Sequence, residues 1–344
     1  MIADEQEAGA GACIFDSRRR RIGSAQKGMG RIGDDDAYPA TAMPILHIRH
    51  WTRYRYRQPV GFGEHRMMFR PQEAPDQRVL EARLDIRPGP AALHAVSDLF
   101  GNTVHVAQFE GRADELSFES RLRIDHQPDD PAGVADEAFP AHGAPFAYEA
   151  GHLPDLARSI AAAYPDPCGE VERWARRFAP ANGRGRAMET LIAMTHAIHE
   201  DFRYETRLHD APRPPAETLA LRLGSCRDFA VLMMDAARRL GLAARFASGY
   251  LLAGSREVGG GHTHAWTRIF LPSCGWADFD PTNGGVGAAR LVRVAVAVEP
   301  RQAVPLHGTW CGPADAYRDM QVEVDVRSED ERDPRQSVGV ARTG

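Results

Sequence analysis

The stretch GSCRDFAVLMMDAARRLG, residues 224–241, joins a small-residue turn to an amphipathic segment. Phe229, Leu232, Met233, Ala236 and Leu240 recur at helical intervals, and Gly241 stands where a helix takes its C′ residue. The spacing predicts a helix over 227–240, with Cys226 at or just before its first turn. The N–H groups of a first turn lack intrahelical acceptors, and the macrodipole there favours negative charge. Such a position stabilises a thiolate and an oxyanion alike, and the Cys226 N–H is a natural first oxyanion donor. The small-residue turn is expected to expose the thiol.

Two frames follow in the chain. HTHAW (262–266) carries His264, and WADFDPTNG (276–284) carries Asp280. A thiol, an imidazole and a carboxylate are the groups a cysteine acyl-transfer site requires: a nucleophile, a proton carrier and an orienting anion. Both frames read as period-two strands, joined by the LPSCG connection at 271–275. A hairpin with that turn brings His264 and Asp280 to the same end of a sheet. Asp278 has the same strand parity and rivals Asp280; Asp280 is preferred because Asp–Pro–Thr ends the strand, where active-site groups are presented. His262 and His264 form an HxH pair, and His196, His199 and Glu200 share a helix, but no CxxC or HExxH frame supports a metal. No metal or cofactor is expected. The Gly-rich run EVGGGHTH (257–264) lacks a nucleotide-loop context and reads as a lid or a close backbone approach to substrate. Trp266 and Trp276 read as half-buried packing residues.

Further out, helical spacing precedes the cysteine at 155–163, 171–178, 187–201 and 216–222, and strands follow it at 243–252, 263–271, 275–280 and 320–326. Helices followed by consecutive strands argue an α+β catalytic region over 151–326, closed by that last strand. Residues 44–127 differ. Short alternating segments at 45–56, 79–86, 103–109 and 116–124, separated by RPGP and FGN turns, predict an antiparallel sandwich-like β domain. A Pro- and Gly-rich linker is expected at 128–150. Residues 1–43 and 327–344 lack apolar periodicity and are expected to be disordered, with Met43 a natural translation start.

The 344 residues leave room for two cores. A net charge of −5 and a pI near 6.3 argue against a nucleic-acid partner. No apolar run approaches the roughly 18 residues of a membrane span, so no membrane partner is expected. Cysteines 13, 168, 226, 274 and 311 are scattered and odd in number, and no basic-then-apolar leader pattern opens the sequence. Reduced thiols in the cytoplasm are the expectation.

The three frames together resemble the transglutaminase-like cysteine enzymes, a papain-like α+β superfamily whose pattern is G-x-C-R-D before an amphipathic helix, then HAW, then W-x-x-x-D-P-T. Matched position by position, the resemblance implies Cys226 as nucleophile, His264 as base and Asp280 as orienting acid. YRYRQPV (54–60), FRPQ (69–72), the Gln77–Arg78 pair and DLFGN (98–102) resemble the bacterial transglutaminase-like N-terminal domain. Two departures stand out: the strand after HAW usually carries an acidic residue where Thr267 or Arg268 stands, and 294–308 lacks a Gly-Arg-Asp stretch. The resemblance implies a thioester formed on a protein or peptide amide and resolved by water or by an amine. Rival expectations are a peptide-binding module without turnover and a zinc hydrolase using His262 and His264.

Overall fold

Period-two alternation starting at Ile45 continues to Met67, giving one 23-residue strand, β1 (Ile45–Met67). The computed structural model describes residues 45–128, 137–139, 146–180, 185–207, 211–252, 258 and 260–329. The expected disordered segment 1–43 lies outside them, as does 330–344 of the expected tail.

Around β1 run β2 (Gln77–Arg87), β3 (Ala92–Ser97), β4 (Thr103–Gln108) and β5 (Arg112–His126). Their order in one antiparallel sheet is β2-β5-β1-β4-β3. A register break between Arg55 and Val60 divides β1, so that its first half pairs with β5 while its second half reaches β4. Tyr56, Val60, Phe62, Met67, Phe69, Leu116 and Phe118 close a small core of their own. The opposite alternation, including Leu46, Ile48, Val104, Leu122 and Ile124, packs into the core of the second half of the chain.

That half begins with α1 (Leu153–Ile160), α2 (Glu170–Arg176) and α3 (Ala187–Asp201). A short parallel pair, β6 (Arg203–Tyr204) and β7 (Leu223–Gly224), brackets α4 (Pro215–Leu221). Then come α5 (Cys226–Arg239), β8 (Ala244–Leu251), β9 (His264–Leu271), β10 (Gly275–Asp280), β11 (Gly285–Val286) and β12 (Leu291–Ala297). The second sheet has the order β11-β10-β9-β8-β12, and α5 lies across β8 and β9. Nearly every α5 side chain is buried, as expected of a helix enclosed on all sides. Gly241 takes a φ of 86° at the helix C-terminus, where its N–H reaches the Arg238 carbonyl at 2.9 Å.

Several expectations need correction. The strand at 320–326 does not close the second sheet. It forms part of β14 (Tyr317–Ser328), which pairs with β1 in the first sheet together with β13 (Leu306–Cys311). Arg327 and Ser328, expected in the tail, pair with His47 and Leu46. The described ends of the expected linker are also packed, because Phe139, Phe146 and Tyr148 are apolar and enter the core. The Phe146 N–H donates to the Leu240 carbonyl, and the Tyr148 hydroxyl donates to the Phe270 carbonyl. Residues 129–136 and 140–145 of that linker lie outside the described residues.

The two sheets meet along β12, whose outer edge would otherwise present unpaired backbone groups. Side-chain amides from the first half cap that edge. Gln77 donates to the Arg293 carbonyl at 2.6 Å and accepts the Arg293 N–H at 2.9 Å. Asn102 makes the same two-way contact with Val296, at 2.8 and 2.9 Å. Asp76 holds the Arg293 guanidinium through two bonds of 2.9 and 3.0 Å.

Candidate active site

Cys226 is the first residue of α5, and a dense polar knot fixes the turn before it. Asp228 is fully buried and accepts both the N–H and the hydroxyl of Ser225, at 2.8 and 3.0 Å. Arg207 donates to both Asp228 oxygens, and the Arg213 N–H adds a bond of 2.7 Å. One carboxylate therefore ties the helix start to the 207–213 segment. Gly224 is required because a Cβ there would stand 2.8 Å from the Asp228 Cβ. The thiol is not exposed as the turn chemistry suggested: Cys226 keeps 7 % of its surface, since the knot packs the turn inward. Its access is a cavity of about 450 Å³.

His264 opens β9, and Asp280 ends β10. The His264 Nε2 and the Asp280 Oδ2 are 2.8 Å apart, with both side chains buried. Asp280 also accepts the Asn283 amide at 2.9 Å and the Thr282 N–H at 3.0 Å. These donors and the adjacent imidazole outweigh burial, which alone would raise the carboxyl, and hold its pKa below the ordinary value. Burial pushes the His264 pKa down, but the charge and hydrogen bond of Asp280, with a smaller contribution from Cys226, carry it up to about 10. The imidazole is therefore cationic at neutral pH. Among the described residues its Nδ1 has no hydrogen-bond partner of good geometry, and the nearby Cys226 favours a proton on the ring. His264 and Cys226 line the same cavity.

Asp278, the rival carboxylate, belongs to another network. It accepts the Trp266 indole N–H at 2.6 Å and pairs with Arg268 at 3.0 Å. Arg268 thus serves as partner to a buried carboxylate, and the Thr267 hydroxyl caps the Ala230 carbonyl of α5 at 2.8 Å. Trp266 is fully buried rather than half-buried, stacked on His264 at 6.2 Å between centroids. Trp276 is half-buried, with the Arg245 guanidinium 4.1 Å over its ring.

Neither histidine set assembles into a larger cluster. Among the described residues, no group of three or more His, Cys, Asp and Glu side chains is placed to hold a metal. The His199 Nδ1–H donates to the Thr282 carbonyl at 2.8 Å. It buttresses the turn after Asp280, where Gly284 (φ 71°) leaves room for its ring. Of the Gly-rich run, residues 258 and 260–264 are described and 257 and 259 lie outside the described residues. Val258 donates to Asn283 at 2.9 Å, and the Gly261 carbonyl accepts the Val324 N–H of β14.

The far wall of the cavity comes from the first sheet. His50, Thr52 and Tyr54 of β1 face it beside Val322 and Met320 of β14, in a register that sets Thr52 opposite Val322 and Tyr54 opposite Met320. Burial drives the His50 pKa down to about 3, so that ring is neutral, held by Tyr250 and Thr52 at 3.1 Å each. Sequence reasoning missed this wall. It missed Tyr204, Thr206 and Arg207 on the near side as well, because no short motif links them to Cys226.

Two family models match the chain. One describes the bacterial transglutaminase-like N-terminal region and covers residues 46–125; the other describes the transglutaminase-like superfamily and covers residues 173–281. The chain belongs to the transglutaminase-like superfamily. The second match contains Cys226 and His264 and ends one residue beyond Asp280. Among relatives of this transglutaminase-like chain are Uncharacterized protein Rv2569c of Mycobacterium tuberculosis and Uncharacterized protein Mb2599c of Mycobacterium bovis. Each is 27 % identical over 303 residues, covering 83 % of this chain and 94 % of the relative. A crystal structure of a candidate cysteine protease from Cytophaga hutchinsonii superposes with a TM-score of 0.63 at 18 % identity, over 85 % of this chain and 93 % of that one. That likeness extends the shared fold across both sheets.

Proposed function

We propose that this transglutaminase-like protein is a cysteine-dependent enzyme that transfers the acyl group of a protein or peptide amide through a thioester on Cys226. The observation that carries the reading is the buried His264–Asp280 pair beside Cys226 at one end of a walled cavity. The imidazolium and the helix N-terminus both favour negative charge on the sulfur. The sulfur attacks the amide carbonyl, and the Cys226 N–H is available to the developing oxyanion. His264 gives its proton to the leaving amine, and Asp280 stabilises the cation beforehand and fixes the ring. The neutral imidazole then takes a proton from water or an incoming amine, which attacks the thioester and restores the thiolate.

Hydrolysis is the favoured outcome, because the cavity is not sealed from solvent and water far outnumbers any competing amine. A zinc reading fits less well, since the Nε2 of His264 is engaged by Asp280. Cys226, Cys274 and Cys311 are free thiols, which is in keeping with a reducing compartment such as the cytoplasm. Among the described residues no helix is long and apolar enough to cross a membrane. The test is a screen of peptide amides with and without added primary amine, read by mass spectrometry. Free acid and amine products support hydrolysis, and amine adducts support transamidation. Turnover retained by Cys226→Ala would refute the proposal.

A further inference from the structure

An acyl-transfer site needs a second donor opposite the backbone N–H of its nucleophile, since a tetrahedral oxyanion accepts more than one hydrogen bond. Ser225 is the nearest hydroxyl in sequence, but it already donates to Asp228 at 3.0 Å. The parallel pairing of β6 with β7 supplies another candidate. It sets Tyr204 opposite Gly224, two residues before the nucleophile, and the Glu205 N–H locks that register by donating to the Gly224 carbonyl at 2.9 Å. Tyr204 and Cys226 line the same cavity. We propose that the Tyr204 hydroxyl is the second oxyanion donor of this site, acting with the backbone N–H of Cys226.

The surroundings of the phenol fit that role. Burial foremost, then the charge of Cys226, raises the Tyr204 pKa, so the group keeps its proton through the neutral range. Cys226 and Asp280 both add to that rise, in keeping with the shared cavity lining of Tyr204 and Cys226. The Thr206 hydroxyl hydrogen-bonds the phenol in the sense that favours negative charge on its oxygen, that is, as a donor. A protonated phenol on the cavity wall has an O–H to give to a partner in the cavity. In the reaction the Cys226 sulfur forms a bond to the carbonyl carbon, and the carbonyl π pair moves onto oxygen. Tyr204 donates a hydrogen bond to that oxygen without losing its proton. Collapse returns the pair to the carbonyl and expels the amine, protonated by His264.

The inference rests on Cys226 being the nucleophile, and two reagents separate the two statements. Iodoacetamide alkylates a thiolate by displacement and creates no oxyanion, whereas p-nitrophenyl acetate acylates it through one. In Tyr204→Phe, acylation of Cys226 is expected to slow by about 100-fold, the usual effect of removing one oxyanion donor, with alkylation unchanged. Thr206→Val should show a smaller loss of the same kind, and it carries the test if Tyr204→Phe fails to fold. Melting temperatures check the fold of both. Unchanged acylation, or an equal fall in both rates, would overturn the proposal. A wild-type Cys226 that takes neither reagent would overturn the nucleophile, and this inference with it.

Discussion

Two aspartates two positions apart on β10 do different work because their neighbours differ. Asp280 faces His264 at 2.8 Å, while Asp278 is enclosed by Trp266 and Arg268. Asp280→Asn is therefore expected to keep the fold, read by circular dichroism, and to slow acylation of Cys226 by about ten-thousand-fold, as in the corresponding serine triads. Asp278→Asn should instead destabilise, by about 3 kcal/mol if Arg268 is left as an uncompensated buried charge, with little effect on acylation in the folded fraction. The reverse pattern would require a different orienting carboxylate. The pH dependence follows from the same pair. The folded protein raises the His264 pKa from 6.5 to about 10, so its contribution to stability is complete below the lower value and lost as pH climbs through the upper one. Asp280 is shifted down, so its contribution is present above its ordinary range and lost in acid. The melting-temperature gap between wild type and His264→Gln should accordingly be widest in mildly acid solution, below pH 6.5 but above the range in which Asp280 takes a proton, and narrow as pH approaches 10. A gap that widens over that interval would mean the imidazole is neutral in the fold.

At the scale of the element, α5 and the β9–β10 hairpin were legible because each carries a single strong period. Helical spacing of Phe229, Leu232, Met233 and Ala236 located α5 to within one residue at each end. The short LPSCG connection makes His264 and Asp280 neighbours from the sequence alone. β12 was not legible, since all seven of its residues are buried and a run such as LVRVAVA has no alternation to read. β3 escaped for the opposite reason: all six of its residues are exposed. The knot under the nucleophile was also hidden, because Asp228 looks like a surface residue flanking the cysteine until Arg207 and Arg213 are seen to converge on it. Asp228→Ala removes the acceptor of the Ser225 N–H and leaves the Arg207 guanidinium without it. The change is expected to cost about 3 kcal/mol in stability and to slow alkylation of Cys226 as the turn loosens. Unaltered melting and alkylation would show that the turn is held by the helix alone.

In the whole molecule, the two halves read from the sequence share the main core and one cavity. Nothing local could show this, since β14 pairs with β1 across more than 260 residues, as in the contact of Arg53 with Gln321. The motifs that mark the N-terminal region prove to be its docking groups: Gln77 and Asn102 cap the edge of β12. A chain built this way should unfold in one transition, with near-UV and far-UV circular dichroism coinciding. Gln77→Ala and Asn102→Ala should each lower stability by about 1–3 kcal/mol, because each strands buried backbone groups of β12. Separate transitions for the two halves would contradict the shared core. The claim on which the rest depends is that Cys226 forms the acyl-enzyme. Its most direct test is peptide mapping by mass spectrometry after brief exposure of the intact protein to p-nitrophenyl acetate at neutral pH. The account predicts one acetyl group as a thioester on Cys226, absent in Cys226→Ala and strongly delayed in Asp280→Asn. Acetylation spread over Cys168, Cys274 and Cys311, with Cys226 unmodified, would contradict it.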